Sequence, residues 1–310
     1  MTATLASLKI AIDASPLLPG TRPIELRYQD SGRGAPMVLL HGGWGYGFYP
    51  HDDAIAKLDR RFIIPDRTGY GGSPHIAELP PRFHVAAAIE DARRDDAVKA
   101  ILLRSANEKF FSAGADVSVF AKSGLDEQNA FVVCANEAMG KFESIPKVVV
   151  AAINGHCLGG GLEMALCCDF RIAAEGSYRI GLPEVTLGLL PGTGGTQRLP
   201  RLIGRQKALD FMLRGATMPP QDALAAGIVD AVVPAAELLD KALERVRAYA
   251  TGPTFAIGRI KKAAVQGFGM SLSDGLKLER QLLIELFKSD DGKEGVTAFV
   301  EKRKPTYKGR

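Results

Sequence analysis

The sequence predicts an α/β fold, and two observations carry that prediction. From about Ile89 onward, β-branched runs of buried-strand length alternate with segments whose apolar residues recur at helical spacing. The connections between them are short. A chain of 310 residues can bury one sizeable core, with length left over for a small second unit.

Taken in order, residues 1–88 hold two short strand candidates, Ile24–Asp30 and Met37–Leu40, around a turn at Ser31-Gly32-Arg33-Gly34. A helical stretch spans Phe83–Arg94. Val98–Arg104 (VKAILLR) and Lys147–Asn154 (KVVVAAIN) read as buried strands, with the helix Leu125–Glu143 between them. Gly159-Gly160-Gly161 then opens a helical run, Leu162–Cys168. Ala235–Ala250 and Leu272–Phe287 are the remaining helices, the latter with Asp274 near its start.

Composition narrows the function classes. Charged residues are 24% and the hydrophobic set 46%, so the chain is neither disordered nor fibrous. A net charge of +4 without interleaved aromatics and arginines argues against nucleic acid. The one basic cluster, Lys302-Arg303-Lys304, is expected to be a solvated tail or a phosphate contact. Cys134, Cys157, Cys167 and Cys168 lack ligand spacing and read as buried thiols of a reducing compartment, with no metal site. No signal peptide and no apolar run of the ~18 residues a membrane span needs are found, which points to the cytoplasm.

The candidate chemistry begins at the glycines. A glycine-rich turn that opens a helix leaves backbone N–H groups free and lets an oxygen come close. The same pattern also serves as a tight turn packing helix on strand. Glu163 falls in the first turn of that helix, where the dipole favours negative charge and suits a base acting on water. Glu184 follows Pro183 in a segment read as non-helical, between Leu182 and Val185. Partial burial there would raise its pKa and let it hold a proton. Two carboxylates whose proton affinities are pushed apart can act as base and acid on neighbouring carbons.

Five ordered motifs carry a resemblance over about residues 89–310. They are Phe110-Phe111-Ser112-Ala113-Gly114-Ala115-Asp116, the run Asn154–Glu163 (NGHCLGGGLE), Ile180-Gly181-Leu182-Pro183-Glu184, the run Leu190–Leu199 (LPGTGGTQRL), and Phe299-Val300-Glu301-Lys302-Arg303. In order and spacing they resemble the enoyl-CoA hydratase/isomerase (crotonase) superfamily, most of all the hydratases. The resemblance implies a spiral of ββα turns with a C-terminal helical region, and an acyl-CoA substrate. It implies a homotrimer, or a hexamer built as a dimer of trimers. CoA enters as part of the substrate, and no other cofactor is needed.

The same resemblance assigns roles. Glu163 would activate water and Glu184 would carry the proton, while the N–H groups of Ala115 and Gly160 form an oxyanion hole. Gly114, Asp116, Leu158, Gly159, Pro191 and Gly192 would line the substrate site, with Asp116 foremost a loop or capping carboxylate. Phe299 and Lys302 match positions that meet the adenine and phosphate end of CoA. Gln197 and Arg198 are read as structural. The implied reaction is syn addition of water to a 2-enoyl-CoA; double-bond isomerisation and a weakly active CoA-binding fusion are the alternatives.

Residues 1–88 differ in character. His41-Gly42-Gly43-Trp44-Gly45 and Asp66-Arg67-Thr68-Gly69-Tyr70-Gly71-Gly72-Ser73 resemble the opening of an α/β-hydrolase. No G-x-S-x-G elbow follows and no histidine lies beyond His156, so a hydrolase triad is absent and His41 and Ser73 read as loop residues. Three regions are therefore expected: 1–88, a hydrolase-like fragment in place of the usual first strands; 89–250, the spiral core; and 251–310, a helical oligomerisation region. Ile24–Asp30 and Met37–Leu40 are expected to pair as a hairpin on the vacated edge, with the loop around Trp44–Phe48 where CoA enters.

Overall fold

A computed structural model describes residues 89–310, apart from the side chains of Ser118 and Val119, and the backbone of four strands within the first 88 residues. Those strands are β1 (Thr4–Ile12), β2 (Arg22–Ser31), β3 (Pro36–Leu40) and β4 (Arg61–Pro65). Residues 89–94 are helical.

Three ββα turns build the centre. The first is β5 (Ala100–Arg104), β6 (Phe110–Ser112), α1 (Val117–Lys122) and α2 (Leu125–Ser144). The second is β7 (Val148–Ile153), β8 (His156–Leu158) and α3 (Gly160–Leu166). The third is β9 (Phe170–Ala174), β10 (Ile180–Gly181) and a 3-10 turn at Glu184–Leu187, followed by α4 (Gly195–Ile203) and α5 (Arg205–Leu213). Then come β11 (Thr217–Met218), α6 (Pro220–Ala226), β12 (Ala231–Val233) and α7 (Leu238–Ala250).

The first strand of each turn joins an eight-stranded sheet of order β1-β2-β4-β3-β5-β7-β9-β12; the second joins a four-stranded sheet of order β11-β10-β8-β6. From β3 through β12 the large sheet is parallel. A parallel strand covered on both faces can be apolar throughout, and β7 (VVVAAI) is buried at every position. Leu238, Ala242, Leu243 and Val246 of α7 bury one side of that helix, which packs across β5, β7 and β9.

The expected hairpin between the second and third strands does not form. β2 pairs antiparallel with β1 and β4, and β4 pairs parallel with β3. A strand has two edges, and those of β3 go to β4 and, parallel, to β5 through Leu39–Leu102 and Leu40–Leu103. No edge is left for β2. Strands of the first region nonetheless continue the central sheet at β5.

Three helices close the described chain: α8 (Thr254–Gly267), α9 (Leu272–Lys288) and α10 (Asp290–Val300). Lys261 of α8 is buried and donates to the carbonyls of Phe142 and Lys147 and to Asp169 Oδ2, which pins this group to the core. Ser271 caps α9 by accepting the Asp274 N–H, so the acidic residue near its start is part of the cap. Much of the apolar surface here is uncovered, Leu272 being 81% and Phe299 85% exposed.

Candidate active site

In the four-stranded sheet β6, β8 and β10 lie side by side and parallel, with Ser112 paired to Cys157 and Leu158 to Gly181. Their carboxyl ends therefore emerge on one edge, where open α/β sheets place their ligands. From those ends the chain runs into Gly114–Asp116, into Gly159–Glu163 and into Pro183–Glu184. Three motifs far apart in sequence are thus gathered by strand pairing alone.

Gly159 is the N-cap of α3, with φ +54° and its N–H donated to the carbonyl of Gly181. The helix starts two residues earlier than the apolar pattern suggests and ends at Leu166, so Gly160 is its first residue rather than part of a preceding turn. Gly114 has φ +88°, and a Cβ there would stand 2.9 Å from Gly160 N and 3.1 Å from Leu158 O. Both features require glycine. The Gly114–Ala115 loop and the start of α3 are in contact as a result. Among the described residues, neither the Ala115 nor the Gly160 N–H meets an acceptor, and both residues are part-exposed. Asp116 directly precedes α1, the place of a capping residue.

Glu163 is 2% exposed. Its Oε1 accepts the N–H groups of Thr193 and Gly195, each at 2.8 Å, and its Oε2 accepts the Thr193 hydroxyl. The loop Pro191–Gly195 wraps the carboxylate and is itself buttressed. Arg198 forms a paired contact with Glu143 at 2.8 and 2.7 Å and donates to the Thr193 carbonyl at 3.1 Å. Asn136 donates to the Gly192 carbonyl. Arg198 thus supports this loop, and the side chain of Gln197 hydrogen-bonds to Thr196 and Arg201.

Glu184 is the first residue of the 3-10 turn, not of an irregular segment; Pro183 at φ −86° introduces that turn. Its Oε2 is buried and has no hydrogen-bond partner among the described residues. Burial pushes its pKa up to about 7, its own backbone N–H works against this, and the negative charge of Glu163 adds to the rise. The two carboxylates are thus close enough to feel each other. A Cβ on Gly159 would stand 3.0 Å from Glu184 Oε1, so the cap glycine also makes room for this side chain.

Of the other predicted site residues, Leu158 ends β8, Pro191 is buried, and Gly192 is part-exposed. Phe299 and Lys302 lie at the exposed end of α10, and no contact within the described chain brings them to the glutamates. Arg303 of the basic cluster is engaged with Glu294 and Glu301. Cys157, Cys167 and Cys168 are buried, and burial raises all three thiols, Cys168 to about 12; Cys134 is only part-buried, contrary to expectation. Among the described residues no group of three or more His, Cys, Asp or Glu could hold a metal, and no helix is long and apolar enough to cross a membrane. His41, Ser73 and the Trp44–Phe48 loop lie outside the described residues. Thr193, Glu143 and Asn136 were assigned no role from sequence. Thr193 stands thirty residues from Glu163, and no local pattern links them.

The profile of the enoyl-CoA hydratase/isomerase family matches residues 82–310. The chain belongs to that family. A short-chain-enoyl-CoA hydratase of Clostridium acetobutylicum is 38% identical over 216 residues, 70% of this chain and 82% of its own length. A Rhizobium meliloti relative named "Probable enoyl-CoA hydratase" is 40% identical, covering 72% of this chain and 86% of that protein. The crystal structure of enoyl-CoA hydratase from Bacillus anthracis superposes with a TM-score of 0.70 at 38% identity, over 74% of this chain and 88% of that one. The ββα spiral is thus the crotonase fold, and the family match begins at Arg82, one residue before the stretch Phe83–Arg94.

Proposed function

We propose that this chain is an enoyl-CoA hydratase, adding water reversibly and syn across the C2–C3 double bond of 2-enoyl-CoA thioesters. The observation that carries the reading is the pair of unlike carboxylates at adjacent strand ends, beside two unengaged N–H groups. Glu163, anchored on one edge by backbone donors, takes a proton from the water that attacks C3. Glu184, with a pKa near 7, holds a proton at neutral pH and delivers it to C2. The N–H groups of Ala115 and Gly160 bind the thioester oxygen as charge builds there; losing such a donor commonly costs ~3–4 kcal/mol of barrier. Gly114, Asp116, Leu158, Gly159, Pro191 and Gly192 shape the site around the acyl group. No metal or redox group takes part.

The same reading extends to the assembly. The exposed apolar face of α9 and α10 supports self-association as a trimer or a hexamer of paired trimers, with residues 251–310 as the oligomerisation region and 89–250 as the spiral core. Phe299 and Lys302 would then reach CoA bound to a neighbouring copy, Lys302 as a phosphate partner. Residues 1–88 take the place of the usual first strands, and the setting is the cytoplasm. Loss of the enoyl absorbance of crotonyl-CoA tests the activity. Wild type should turn it over and Glu163→Gln should not; equal slow rates, or a preference for isomerising 3-enoyl-CoA, would overturn the hydratase assignment.

A further inference from the structure

Thr193 meets Glu163 twice, and the two contacts do different things. Its backbone N–H, with that of Gly195, occupies Oε1. A carboxylate oxygen offers two in-plane lone pairs, so Oε1 is saturated. Oε2 has one donor, the Thr193 hydroxyl, and one lone pair left. Thr193 is 5% exposed, and the Arg198 guanidinium holds its carbonyl from the far side.

We infer that Thr193 is a positioning residue whose hydroxyl makes Oε2 the oxygen of Glu163 that receives a proton. This rests on the hydratase reading for its consequence in turnover, though not for its geometry. Backbone N–H groups can only donate, so a proton placed on Oε1 would face two donors. A hydroxyl can donate or accept by rotating. It donates to Oε2 when the carboxylate is charged and accepts from Oε2–H once the proton has arrived. One lone pair thus remains for water, in a fixed direction, and the base has a partner before and after transfer.

Thr193→Val removes the hydroxyl while keeping the branched shape, and Thr193→Ser restores it. For Val, kcat on crotonyl-CoA should fall roughly tenfold or more, since a buried charged acceptor loses its partner. KM should stay within about twofold, because Thr193 stands behind the carboxylate. Thr193→Ser should recover kcat. Thr193→Ala gives the same readings should the Val side chain fail to pack, with circular dichroism confirming the fold. Carboxyl carbon-13 NMR of the Glu163 resonance, assigned by its loss in Glu163→Gln, reads the hydroxyl contact without turnover: the resonance should shift in Val and return in Ser. If wild type is inactive on crotonyl-CoA, the hydratase reading fails, yet this resonance still decides the role of Thr193. An unshifted carboxyl resonance and unchanged kcat in Val, or an equal fall in Val and Ser, would overturn the inference.

Discussion

Glu163 and Glu184 leave neighbouring parallel strands of one small sheet, yet their surroundings are opposite. Glu163 is almost wholly buried and meets three donors, two of them backbone N–H groups. Glu184 is half-buried, and its Oε2 meets none among the described residues. The same side chain is anchored as an anion-compatible acceptor in one place and pushed toward its protonated form in the other. The difference teaches that division of labour here is made by donors, not by residue type: a loop from thirty residues downstream supplies them to one carboxylate and passes the other by.

The largest effects should come from erasing either side of that contrast. Glu163→Gln and Glu184→Gln should each lower kcat for crotonyl-CoA hydration by about 10²–10⁴, the usual range for a lost acid or base. Their stabilities should diverge. Replacing Glu163 sets an amide N–H₂ among donors and should cost about 1–2 kcal/mol in denaturant unfolding. Replacing Glu184 removes a carboxylate that burial disfavours, and should leave the unfolding midpoint unchanged or raised. Equal losses would mean the two environments are not energetically distinct.

Next in size is Gly159→Ala, which crowds Glu184 and strains the cap of the helix that carries Gly160 and Glu163. The φ of +54° strains any L-residue by about 1–2 kcal/mol, and the new methyl would crowd Glu184 Oε1. A fall in kcat of roughly 10- to 100-fold is expected.

The pH dependence sharpens the same comparison. Glu184 must hold its proton to serve C2, so the hydration rate should decline as pH rises through about 7, and Glu184→Gln should abolish that limb. The stability consequence has a definite sign. The folded-state pKa lies above the ordinary 4.5, so the folded chain keeps a proton that the unfolded chain releases. That contribution to stability is complete below about pH 4.5 and is lost as pH rises through about 7. Urea unfolding between these limits should show wild type losing stability relative to Glu184→Gln.

The smallest effect is expected for Arg198→Lys. A lysine cannot hold Glu143 through two bonds and the Thr193 carbonyl at once. Thermal unfolding should drop by roughly 1–2 °C, near 1 kcal/mol for a chain of this size, with kcat reduced about two- to fivefold through the looser Glu163 loop.

Local chemistry made much of this legible in the sequence. The apolar runs at β5 and β7 mark buried strands because a strand covered on both faces can be apolar throughout, and the observed strands fall within the expected ranges, trimmed at their ends. The ranges of α2, α7 and α9 follow from their periodicity to within a residue or a few. The glycines before Glu163 and the proline before Glu184 are equally local signals, since a positive φ or a fixed one constrains residue type at a single position. The start of α3 was misjudged because glycine has no hydrophobicity to show a helical period, although its backbone can be the first turn.

What depends on residues distant in sequence had to come from the fold. The parallel pairing of β6, β8 and β10 brings three motifs to one edge, and pairing partners are chosen by the whole sheet rather than by any one strand. The same reason defeats the expected hairpin, because β3 gives its edges to β4 and β5. The sequence by itself determined that two glutamates, a glycine-opened helix and an α/β core are present, since these are properties of short segments. Only the tertiary structure decided which glutamate is surrounded by donors and which is left without them, because the Pro191–Gly195 loop and its Glu143–Arg198 support reach Glu163 through space and not along the chain.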